Sequence, residues 1–128
     1  MSPFIKNGDC LVIKPESAGG IKIGDIIIFK NPWGAYIVHR FIKKHGQATL
    51  LTRGDNMPRY DIPVAIENIM GRVIQIENQR RMLNLTGWPN RIFARFIALF
   101  SRICFRGQVR LTCTLGRLWW LVRGKSLT

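Results

Sequence analysis

The chain has 128 residues, enough for one domain and little more. Apolar residues make up 47% and charged residues 21%, a composition that supports a packed core and excludes a disordered tail. The net charge of +13 is unevenly spread: residues 1–79 hold ten basic and seven acidic side chains, residues 80–128 ten basic and no acidic ones. That asymmetry rules out a uniformly basic, histone-like protein.

The three cysteines, Cys10, Cys104 and Cys113, are odd in number and scattered, so they form neither a disulfide framework nor a metal knuckle. With only His39 and His45 beside them, the donor set does not suit structural zinc. No apolar run is long enough for a conventional membrane span, and the first residues lack the pattern of a signal peptide.

In chain order, the first two thirds read as short strands between turns. Gly8-Asp9 introduces Cys10 to Ile13, which runs out at Pro15. Gly24-Asp25 opens Ile26 to Phe29, and Asn31-Pro32-Trp33-Gly34 turns into Ala35 to Ile42. Gly46-Gln47 leads into Ala48 to Thr52, and Gly71 to Ile76 alternates cleanly. Strands so spaced, with no helix between them, imply a mainly β unit. From Trp88 the pattern changes. Ile92, Phe93, Phe96, Ile97, Phe100, Ile103 and Cys104 recur at three-four spacing, with Arg91, Arg95, Arg102 and Arg106 on one stripe. This predicts a basic amphipathic helix of about four turns after Pro89, stopping at Gly107. Residues 109–123, with Trp119-Trp120, are ambiguous. The reading divides the chain into a mainly β unit, 1–79, and a basic amphipathic extension, 80–128.

Five segments stand out together: Pro3 to Asp9 (PFIKNGD), Gly24 to Phe29 (GDIIIF), Tyr36 to Arg40 (YIVHR), Thr52 to Asp61 (TRGDNMPRYD) and Gly71-Arg72-Val73. In this order and spacing, over roughly residues 1–77, they resemble the type I signal peptidases. The likeness is to the serine–histidine branch within the wider superfamily that also holds the self-cleaving repressors. The resemblance implies a compact β catalytic fold and serine endopeptidase activity, with no metal or organic cofactor.

Near the nucleophile the family pattern is Ser-Met-x-Pro followed by Gly-Asp. Pro3 and Gly8-Asp9 fit that spacing, so Met1 takes the family's Met and the catalytic serine falls just ahead of Met1. Three readings follow: a serine supplied upstream, with or without a membrane anchor; Ser2 as nucleophile; or a catalytically dead relic. Ser2 would be displaced along an extended segment by about 6–7 Å, and even ~1 Å of misplacement is costly.

The resemblance makes His39 the general base, a role an imidazole can fill because it titrates near neutrality. It makes Asp61, six residues beyond Asp55, the group that orients His39. Arg53 stands where the family usually has lysine. From its turn context, Asp55 reads as a cap for backbone amides, and His45, beside Lys43 and Lys44, as exposed loop.

The implied substrate is an extended peptide or preprotein, taken up by main-chain hydrogen bonding along a strand edge. A membrane surface is the expected partner of the arginine-rich end, nucleic acid the less favoured one, and a helix simply packed on the β unit is an equal alternative. The expected site of action is membrane-associated with the active side extracytoplasmic, or cytoplasmic without an upstream anchor. Two other functions remain open: a self-cleaving repressor-type peptidase, and a non-enzymatic membrane- or nucleic-acid-binding module.

Overall fold

The computed structural model describes residues 4–103 and 125–126. Eight strands lie in chain order: β1 (Cys10–Pro15), β2 (Ile26–Lys30), β3 (Tyr36–His45), β4 (Thr49–Arg53), β5 (Val64–Ala65), β6 (Ile69–Asn78), β7 (Arg81–Asn84) and β8 (Lys125–Ser126). A 3₁₀ turn, Ile66–Asn68, precedes β6, and one helix, α1 (Trp88–Ile103), follows β7. The strands form one antiparallel sheet in the order β5-β4-β3-β2-β6-β7-β8, with β1 paired to β6 off this path. Among the described residues the fold is therefore mainly β with one helix, as the punctuation of the sequence implies. The five expected strands are all present, β3 and β6 being longer at ten residues each. The others, β5, β7 and β8, have two to four residues and lack an alternating pattern to announce them. The β6–β7 hairpin turns at Gln79 and Arg80, so the sheet continues into the arginine-rich part of the chain. The expected stop at Gly107 and the Trp119-Trp120 pair lie outside the described residues.

Side chains alternate between the two faces along each strand, so the consecutive apolar residues Ile26 to Phe29 of β2 supply both faces of the sheet. In register, Ile27 pairs with His39 and Phe29 with Ile37 on one face, while Ile26 pairs with Arg40 and Ile28 with Val38 on the other. The first face buries Ile21, Ile27, Phe29, Phe41, Leu50 and Val64. The second buries Ile26, Val73, Ile76 and Leu83. The β3–β4 register slips between Phe41 and Lys43, a bulge that leaves Arg40, Phe41 and Ile42 buried in succession.

Helix α1 closes the second face. Phe93, Ala94, Ile97 and Ala98 turn inward, and the Phe93 ring meets Phe4 edge-on, with centroids 6.3 Å apart. Contact is close at Gly24, whose φ of 98° suits glycine and where a Cβ would come within 2.7 Å of the Ala94 carbonyl carbon. The Gly24 N–H donates to the Phe41 carbonyl (2.8 Å) and the Phe41 N–H to the Asp25 carbonyl (2.9 Å), so this turn joins helix and sheet. Gly24→Ala is expected to cost about 2–4 kcal/mol from the φ penalty and the clash together. Urea unfolding followed by circular dichroism would measure it, and a change below about 0.5 kcal/mol would refute this seating of the helix.

Candidate active site

Two neighbouring residues of β3, His39 and Arg40, leave the strand on opposite faces, and each meets an acid from the loop after β4. On the first face the His39 Nδ1–H donates to Asp61 Oδ2 at 2.5 Å. The same oxygen accepts the Thr52 hydroxyl at 2.6 Å, and the Asp61 N–H donates to the Thr52 carbonyl at 2.9 Å. Thr52, fully buried, thus holds Asp61 by backbone and side chain at once. With Nδ1 committed to the carboxylate, Nε2 is left as the proton-accepting atom. The imidazole lies over Gly54, where a Cβ would stand 3.0 Å from Nε2 and 2.9 Å from the Met57 side chain. A side chain at this position would crowd the ring and the Met57 side chain. The ring also meets Phe29 edge-on, with centroids 6.4 Å apart.

On the second face Arg40 and Asp55 form a buried fork, 3% and 5% exposed. Arg40 Nε donates to Asp55 Oδ1 (2.7 Å) and Nη2 to Oδ2 (2.8 Å), while Nη1 donates to the Gly24 carbonyl (2.7 Å). The guanidinium also lies 5.1 Å from the centroid of the Phe4 ring. Charge-assisted bidentate contacts of this kind offset much of the cost of burying both ions. Beyond the turn-capping role expected of it, the Asp55 carboxylate grips Arg40, because the strand next to it presents a buried guanidinium whose charge must be met.

Burial lowers the pKa of the Arg53 guanidinium, against the opposing pull of Tyr60, Asp55 and Asp61. Its cation lies 5.6 Å from the Tyr60 ring centroid.

His39 and Asp61 line a cleft of about 500 Å³ whose other walls include Trp33, Ile37, Ile62 and Val64. The cleft also touches Ala65 of β5, the strand that ends the sheet on that side. Its chemistry is that of an apolar groove with one proton-transfer pair at its wall.

Of the expected site residues, His39 and Asp61 come together. Ser2 lies outside the described residues, and His45 ends β3 exposed to solvent. Thr52, Gly54 and Arg40 were missed as parts of the site. Their signal was present, since Thr52-Arg53-Gly54-Asp55 and His39-Arg40 are adjacent in the segments that stood out.

The model of the peptidase S24-like family matches residues 1–74, more than half of the chain. The chain belongs to the peptidase S24-like family. Searches of the curated proteins and of the solved structures returned no match. The S24-like match takes in β1 to β5, the His39–Asp61 pair and the Arg40–Asp55 fork, and ends within β6. It assigns the sheet to a serine-peptidase type of fold and leaves β7 and α1 outside.

Removing one member of the buried fork strands its partner. Arg40→Met is expected to destabilise by about 3–5 kcal/mol, and Arg40→Met with Asp55→Leu by about 1–3 kcal/mol less. Chemical unfolding of both variants checks this; an equal or larger loss in the double variant would contradict it.

Proposed function

We propose that the chain is the catalytic unit of a serine endopeptidase of the signal-peptidase type, acting on an extended stretch of a secretory precursor or related peptide. The observation that carries this reading is the His39 Nδ1–Asp61 Oδ2 contact of 2.5 Å, set in the wall of an apolar cleft beside an edge strand. A peptide lying in that cleft can add to β5 by main-chain hydrogen bonds. A serine hydroxyl attacks the scissile carbonyl while His39 Nε2 takes its proton. His39 then returns the proton to the leaving amine, and water releases the acyl group by the same route. Asp61, held by Thr52, fixes the imidazole tautomer and stabilises the imidazolium.

The nucleophile in this proposal is a serine immediately ahead of Met1, where the family spacing puts it. The family match is equally compatible with a peptidase of the self-cleaving repressor type. A histidine at the base position, where those proteins use lysine, favours the signal-peptidase reading.

The test uses the chain with the residues encoded upstream of Met1, incubated with a secretory precursor. Cleavage is expected, with kcat falling about a thousand- to ten-thousandfold in His39→Ala and in Asp61→Asn and KM little changed. Cleavage that survives His39→Ala would overturn the mechanism. Loss of cleavage in Ser2→Ala alone would move the nucleophile to Ser2. Scission of the chain itself, at a rate independent of its concentration, would replace the signal-peptidase reading with the repressor-type one.

A further inference from the structure

Helix α1 is apolar on the side turned away from the sheet as well as on the side packed against it. Ile92, Phe96 and Leu99 are 53%, 56% and 51% exposed. Their four-three spacing puts them on one stripe, opposite Phe93, Ala94, Ile97 and Ala98. The Phe96 ring stacks on Phe100, with centroids 6.0 Å apart, which widens the apolar surface. A helix on the surface of a water-soluble domain carries polar residues there instead.

Cations flank this stripe. Arg91, Arg95 and Lys22 surround a shallow cleft of about 270 Å³ that reaches Ile92. The one carboxylate lining it, Asp25, is already engaged: its Oδ2 accepts the Lys22 N–H at 2.8 Å and faces Arg72 Nη1 at 3.6 Å. From residue 80 onward the sequence has ten basic residues and no acidic one.

We infer that the outward face of α1 docks on a bilayer surface rich in anionic lipid. Ile92, Phe96 and Leu99 enter the headgroup–acyl boundary, and Lys22, Arg91 and Arg95 meet the lipid phosphates. No helix among the described residues is long and apolar enough to cross a membrane, so the helix lies on the surface rather than spanning it. Charge complementarity selects this occupant. A second copy would bring the same arginines face to face, and a nucleic acid would use the cations but leave the apolar stripe in water. The inference does not rest on the peptidase reading. Helix α1 covers the Arg40 face of the sheet and His39 stands on the other, so a docked chain keeps its cleft open to water.

Flotation of the full chain with vesicles of phosphatidylcholine, with and without phosphatidylglycerol, tests this. Binding is expected only to the phosphatidylglycerol vesicles and should weaken as salt is raised. Ile92→Ser/Phe96→Ser/Leu99→Ser should weaken it by at least about tenfold, and Lys22→Glu/Arg95→Glu likewise, with thermal unfolding to confirm that each variant folds. The second variant decides the matter if the first does not fold. Absence of binding by the parent chain, or undiminished binding by a folded variant, overturns the inference. So does tighter binding to duplex DNA, or a dimer in solution that the serine substitutions abolish.

Discussion

A buried guanidinium has to be answered by an acid, and in this chain the answer to Arg40 shapes everything around it. The fork between Arg40 and Asp55 draws the loop after β4 onto the sheet from one side. Because His39 precedes Arg40 on the same strand, the alternation of side chains sends the imidazole to the other face. The same loop then brings Asp61 to it, six residues beyond Asp55. Two adjacent strand residues and two acids of one loop thus form two hydrogen-bonded pairs on opposite sides of the sheet. One is sealed and structural. The other, at the wall of an open cleft, is left with a free ring nitrogen.

The residues just ahead of the two acids maintain that division. Thr52 ties Asp61 to β4 before the loop departs, and its hydroxyl shares the oxygen that faces His39. Gly54 supplies the empty space over which the imidazole lies. A larger residue at either position would alter the pair without touching a substrate. The two faces of the sheet also divide the labour: the cleft and the histidine belong to one, the helix and the amino end at Phe4 to the other.

Much of this was legible in the residues themselves. Gly-Asp, Asn-Pro and Gly-Gln punctuation located five strands to within a few residues, because turns demand those residue types locally. His39 and Asp61 were singled out by their spacing within recognisable segments, and they do meet. The ion pair of Asp55 with Arg40 was not foreseen, because a turn-capping acid and a buried ion-pair acid look alike until the strand holding Arg40 is in place. β5 and β7 escaped notice for a related reason: two to four residues pair only because a longer neighbour offers a ladder. The helix was found from its period, but the inward face was not. Small Ala94 and Ala98 face the sheet beside Phe93 and Ile97, while Ile92, Phe96 and Leu99 turn out, a choice set by the close approach at Gly24.

The account depends on His39 being held by Asp61 through Nδ1, and the tautomer of the neutral imidazole reports this directly. Long-range nitrogen–proton correlation spectra of the labelled chain, taken at alkaline pH, distinguish the two ring nitrogens. His39 is predicted to carry its proton on Nδ1, and exposed His45 to favour Nε2 as free histidine does. His39 in the same Nε2-protonated form as His45, unchanged by Asp61→Asn, would contradict the account.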